Sequence, residues 1–141
     1  MKKDRSDLLL LDVNVLVALA WPNHPFHAAA QRRLKGSDGP WATCATTQLG
    51  FIRVSSNPAI NETAVTPSTA AALLDSMARD PLHRYLNETP APAETASAFA
   101  GIRGYRQVTD AYLVKVAQRH GARFLTLDVK LRDMAGVEVL V

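Results

Sequence analysis

A single cysteine, Cys44, stands among the 141 residues of this chain, so no internal disulfide and no cysteine-based zinc site can be built from it. Its expected place is that of a small buried hydrophobe. Long apolar runs are also missing: the run at 8–11 stops at Asp12, which excludes a membrane span there. The same break, with Asn14 close behind, denies the basic start MKKDRSD the apolar centre of a signal peptide, and the cytosol is the expected compartment. Aromatic residues are only 6% of the chain, and no basic-aromatic alternation surrounds Trp21, Trp41 or Tyr112, which are expected in the core rather than as stacking platforms. Charge of one sign is not dominant either. Sixteen Lys and Arg against thirteen Asp and Glu leave +3, a mild excess that says little about partners. The cations cluster, with Arg32, Arg33 and Lys35 together, Arg103 and Arg106 about a glycine turn, and Arg119, Arg123, Lys130 and Arg132 in the last third. No internal repeat is present, and the length suits one domain over 1–141.

The apolar pattern predicts alternating strands and helices. Residues 8–12 (LLLLD) form a short run suited to a strand buried on both faces, and VLVALA continues it as a helix. A helix is expected over 24–35, ending in a basic turn at Gly36, followed by a strand at 41–44. Thr46 or Thr47 is the expected cap of the next helix, which Asn57-Pro58 ends. After a Ser, Asn, Pro and Thr-rich loop over 55–67, Thr66-Pro67 signals the start of a helix over 68–79. A weak strand at 83–86, a proline-bearing link at 89–94 and a short helix through Phe99 follow. The last elements are a helix from Thr109-Asp110 to His120 stopped by Gly121, a strand at 123–127 and another at 137–140. Such alternation points to an α/β domain with a mainly parallel sheet of four to five strands, covered by helices on both faces.

In open parallel sheets the ligand site lies beyond the carboxyl ends of the strands. Asp12 ends the first strand, Asp128 follows the FLTL strand, Asp110 opens a helix and Gln48 lies in the first turn after the WATC strand, so all four are expected at one edge. Singly, each has an ordinary role as a cap or turn residue. Together, three carboxylates in one small volume repel one another unless a cation neutralises them. With no histidine or cysteine among them they are hard oxygen ligands, suited to Mg²⁺ or Mn²⁺, and such ions activate water and stabilise a phosphoryl transition state.

The segments LLLLDVNVLVAL, TTQLGFIRV, VTDAYLVKVA and RFLTLD resemble, in order and spacing, the motifs of the PIN domain, above all those of the VapC toxins of bacterial toxin–antitoxin pairs. The resemblance implies a three-layer α/β/α fold and a Mg²⁺- or Mn²⁺-dependent endoribonuclease. It aligns Asp12, Asp110 and Asp128 with the first, third and fourth acids, Asn14 with a small polar position and Thr109 with the hydroxyl before the third acid. Thr126 becomes a candidate for substrate contact or for supporting a ligand. The resemblance further implies a homodimer and a small VapB-type antitoxin that places a basic side chain near the acids.

Gln48 departs from the pattern, standing where many members carry a glutamate. An amide oxygen accepts hydrogen bonds but adds no negative charge and is no general base. If that missing charge limits metal binding, Gln48→Glu would tighten it. Arg53 could pair with an aspartate or touch phosphate, and His24 and His27 are expected as cap or surface residues. Two other enzyme classes fit less well. A haloacid dehalogenase-type phosphatase needs D-x-D where this chain has Asp12-Val13-Asn14, and a receiver domain needs paired acids at the first strand. The non-enzyme alternative, a silent PIN-like domain that binds RNA or a protein partner, draws on Gln48 but leaves three aspartates facing phosphate unexplained.

Overall fold

The computed structural model describes residues 8–37, 39–102 and 104–140. The basic residues of MKKDRSD and Arg103 lie outside them. Five strands, β1 (Leu9–Leu11), β2 (Trp41–Cys44), β3 (His83–Leu86), β4 (Arg123–Thr126) and β5 (Val137–Val139), form one sheet in the order β3-β2-β1-β4-β5. Every pairing is parallel, with Leu10 of β1 opposite Ala42 and Phe124. Five α-helices accompany them: α1 (Val13–Ala20), α2 (His27–Ser37), α3 (Ala45–Ser55), α4 (Pro67–Ala78) and α5 (Val108–Arg119).

Side chains alternate across a strand, so β1 feeds two cores. Leu10, with Ala42 and Phe124, packs against Leu113, Val116 and Ala117 of α5. Leu9 and Leu11 face the other way, onto Val15 and Leu16 of α1, Ala30 of α2, Phe51 of α3 and Leu74 of α4. The three leucines of β1 are at most 2% exposed, and burying each contributes roughly 1.5–3 kcal/mol. The result is the expected three-layer α/β/α arrangement, with β1 at its centre.

Several boundaries moved, for identifiable reasons. Helix α2 begins at His27 rather than at position 24, because Pro25 disfavours a helical conformation at His24, and the His24 Nδ1 instead accepts the Phe26 N–H at 3.0 Å. Helix α3 follows β2 without a linker, so its N-cap is Cys44, and Thr47 serves one turn in, its hydroxyl accepting the Cys44 N–H at 3.0 Å. The Glu88 carboxylate takes up the Thr46 N–H. The expected helix through Phe99 consists of two short 3-10 turns, Pro92–Glu94 and Ala96–Phe99. Thr66 caps α4 with Pro67 in its first turn, and Gly121 adopts φ 69° after α5, both as the sequence signals.

One close approach ties the helical layer to the edge where the aspartates gather. A Cβ on Gly50 of α3 would stand 2.4 Å from Cγ2 of Val13, the first residue of α1. Only glycine lets α3 approach α1 so closely at the residue adjoining Asp12.

Candidate active site

Asp12 occupies the turn where β1 becomes α1. Its backbone N–H still belongs to the sheet, donating to Leu125 O at 2.9 Å, while its carbonyl accepts the first helical N–H groups, from Val15 and Leu16. Asp12 is 6% exposed. Oδ1 accepts the Val13 N–H and Oδ2 accepts the Thr126 hydroxyl, both at 2.7 Å. Burial pushes the Asp12 carboxyl above its ordinary range against these two bonds, and the nearby Asp128 charge adds to the rise.

Thr126, the last residue of β4, is fully buried and organises this edge. Its hydroxyl donates to Asp12 and accepts the Asp128 N–H at 3.1 Å and the Asn14 Nδ2 at 3.4 Å. One donor and two lone pairs are thereby all engaged, which leaves nothing for a substrate. Asn14 completes the lattice by accepting the Leu127 N–H at 3.1 Å through Oδ1. Asp128 sits just past β4 as the cap of a 3-10 turn, Val129–Leu131, its Oδ1 accepting the Lys130 N–H at 3.0 Å.

Asp110 enters from the first turn of α5. Burial, then the charges of Asp12 and Asp128, push its carboxyl up to about 6. The three acids therefore sense one another electrostatically. None takes part in an ion pair among the described residues, where the pairs run from Arg33 and Arg123 to Glu138 and from Arg79 to Asp75. Asp12 is buried and Asp110 and Asp128 are half-buried, so their mutual repulsion is only partly screened by solvent.

The aspartates line one cavity of about 640 Å³. They surround it rather than converge on a point: among the described residues no three His, Cys, Asp or Glu side chains lie close enough to grip an ion together. Its remaining lining is mixed, with Val17, Trp21 and Ile60 beside Asn61, His24 and a further acid, the exposed Glu62. Asn61 is buried and pins the loop after α3 by donating to Ser55 O at 3.1 Å, and Trp21 Nε1 donates to Ser55 Oγ at 3.1 Å. These wall residues were not legible as a set, since Trp21 and His24 carry no distinguishing spacing and Asn61 lies in a stretch that reads as plain loop.

A PIN-domain family model matches residues 9–137. The chain belongs to the PIN-domain family, on its VapC branch. Ribonuclease VapC39 of Mycobacterium tuberculosis is 41% identical over 136 residues, covering 93% of this chain and 98% of that protein. Ribonuclease VapC38 of the same organism is 38% identical over 129 residues, covering 91% of this chain and 90% of that one. Two crystal structures share the fold at low identity. VapC20 of M. tuberculosis, a toxin that cleaves the sarcin-ricin loop, aligns with a TM-score of 0.67 at 19% identity, over 94% of this chain and 99% of its own. VapBC2 of Rickettsia felis bound to promoter DNA aligns with a TM-score of 0.64 at 12% identity, over 95% and 99%.

Of the remaining sequence candidates in this VapC-type PIN domain, His24 lines the cavity with the aspartates, and Gln48, Thr109 and Arg53 do not. Gln48 is not among the residues lining their cavity; its Nε2 donates to Thr43 Oγ1 at 3.0 Å, and Thr43 in turn bonds His83 Nε2 at 2.7 Å. The reason is the immediate start of α3, which turns position 48 back over β2. Thr109 and Arg53 are exposed, on the first turn of α5 and the last turn of α3, and neither lines the cavity. His27 bonds Ala18 O at 2.8 Å, whereas His24 faces the cavity, and burial followed by the His27 charge holds its pKa below the ordinary value. Trp41 and Tyr112 are core residues as expected, and Cys44 is buried, its thiol pushed up to about 11 by burial. No helix among the described residues is long and apolar enough to cross a membrane.

Proposed function

We propose that this chain is the toxin of a VapBC pair, a divalent-metal-dependent endoribonuclease that uses Asp12, Asp110 and Asp128. The observation that carries the reading is three aspartates, with the exposed Glu62, lining one cavity with no cationic partner among the described residues. The donor set fits a hard ion such as Mg²⁺, or Mn²⁺, which keeps several waters and is commonly held by one or two carboxylates. That chemistry suits acids spaced around a cavity, with Asp12 as the central ligand and Asp110 and Asp128 acting directly or through water. When bound, such an ion lowers the pKa of water and offsets charge on a phosphoryl group.

The chain's own contribution is orientation and charge. The Val13 N–H and the Thr126 hydroxyl hold the Asp12 carboxylate in place and leave each oxygen a further lone pair. Asn14 and Thr126 fix the backbone from 126 to 128 and so set the position of Asp128. Thr109 and Arg53, exposed beyond the cavity, are left for contacts with a long substrate. The proposal covers a single domain over 1–141 acting in the cytoplasm as a homodimer, held inactive by a VapB-type antitoxin whose basic side chain answers the same uncompensated charge.

Cleavage of single-stranded RNA by the purified chain tests the reading. Asp12→Asn should remove most of the rate with the fold intact, and excess chelator should do the same to the unaltered protein. Undiminished RNA cleavage in chelator would overturn the mechanism.

A further inference from the structure

Among the described residues, the cations beside the aspartates line a different cavity from Val17, Trp21 and Ile60. Asp110 and Asp128 line a second cavity of about 550 Å³ as well as the first. Its other walls are Tyr105, Arg106 and Lys130 with their neighbours, whereas among the described residues no lysine or arginine lines the first cavity. Tyr105 is 80% exposed, and the Arg106 guanidinium lies over its ring at 5.9 Å from the centroid. Arg106 and Lys130 make no ion pair among the described residues, although acids stand beside both. Asp128 also sets the turn that carries Lys130, by accepting its N–H.

We propose that Tyr105, Arg106 and Lys130 form the arm along which single-stranded RNA reaches the aspartates, with Tyr105 stacking one base and the two cations holding the flanking phosphates. The inference rests on the ribonuclease reading above. A polyanion approaching three carboxylates is repelled, and the cations on one side set the direction from which it arrives. A ring that is 80% exposed contributes little to folding, and its free face suits an unstacked base, which a single strand presents and a duplex does not. Arg106, 5.9 Å from the ring centroid, places a cation beside the phosphate of a base held on Tyr105.

The test is binding of a labelled, mixed-sequence single-stranded oligoribonucleotide to the whole chain in chelator, followed by anisotropy over a salt series. Tyr105→Ala should weaken binding by about five- to a hundredfold and Tyr105→Phe by no more than about twofold, because stacking needs the ring and not the hydroxyl. Arg106→Ala and Lys130→Ala should each lower the slope of log K against log salt by about 0.7. Under turnover conditions Tyr105→Ala should raise KM and leave kcat at saturating RNA unchanged. The proposal is overturned if the unaltered chain binds no RNA, if Tyr105→Ala binds as the unaltered chain does, if Tyr105→Phe loses as much as Tyr105→Ala, or if the salt slopes stay put. It is equally overturned if the three substitutions weaken only the binding of a protein partner. RNA bound through these residues but never cut would instead sink the ribonuclease reading and leave this one standing.

Discussion

Gly50→Ala should destabilise the protein even though alanine is the better helix former. In an exposed helix interior the exchange would stabilise by about 1 kcal/mol. Here the new Cβ would lie 2.4 Å from Val13 Cγ2 and 3.4 Å from both Val13 Cβ and Cγ1. Ordinary contact between carbons is about 3.5–4.0 Å, so the overlap with Cγ2 exceeds about 1 Å. Val13 cannot swing aside cheaply, because valine in a helix has one strongly preferred rotamer. Helix α1 or α3 must shift, and overpacking of this kind costs about 1–3 kcal/mol. Taking the upper part of that range against the propensity gain leaves a net loss of about 1–2 kcal/mol, or roughly 3–8 °C in Tm for a domain of this size. The shift is felt at Asp12, since the Val13 N–H is one of its two recorded donors, so RNA cleavage should fall by more than the folded fraction does. Thermal and urea unfolding of Gly50→Ala, Val13→Ala and the double variant give the coupling directly. In the Val13→Ala background the Gly50→Ala change should become neutral or stabilising. If Gly50→Ala is as stable as the unaltered chain, or if the coupling is below about 0.5 kcal/mol, the steric argument is wrong.

Thr126→Val keeps the shape but leaves Asp12 Oδ2 without its donor and the Asp128 N–H without its acceptor, so urea unfolding should show a loss of about 1–3 kcal/mol. Because the lost bond lowers the Asp12 pKa, the acid limb of the cleavage profile should also move to higher pH, and an unmoved limb would contradict the role given to Thr126. Asp110 has a folded pKa of about 6 against an ordinary 3.8, so the folded metal-free chain binds this proton more tightly than the unfolded one. Its contribution is present below about pH 4 and is lost as pH rises through about 6; at about 1.4 kcal/mol per unit the ceiling is about 3 kcal/mol, which partial solvation reduces to about 1–2. In chelator, Asp110→Asn should therefore overtake the unaltered chain in Tm between pH 4 and 7, and parallel curves would refute the coupling. Gln48→Glu should leave divalent-metal affinity within about twofold, as the side chain serves Thr43 and not the cavity, and a tenfold gain by calorimetry would show that position 48 reaches the metal after all.

The strand and helix pattern was legible because it depends on local spacing: LLLL before Asp12, WATC, Thr66-Pro67 and the stop at Gly121 each carry their own signal. The same pattern, with parallel-sheet topology, anticipated one edge shared by Asp12, Asp110 and Asp128, and these do line one cavity. Local spacing could not reveal that α3 starts at Ala45 and turns Gln48 onto Thr43, since that depends on how β2 feeds the helix without a linker. Nor could it rank Thr126 above Thr109. By sequence Thr126 is the weaker candidate of the two, and only packing makes it a saturated, buried hub and leaves Thr109 in solvent. The sequence by itself determined the five strands, the main helices and the parallel α/β layering, and named three aspartates as candidates, because periodicity and residue chemistry are local properties. The tertiary structure alone decided which polar groups orient those acids, that they enclose a cavity instead of closing on a point, and that the cations lie on one side of it, because each of these depends on distances between residues up to 114 positions apart.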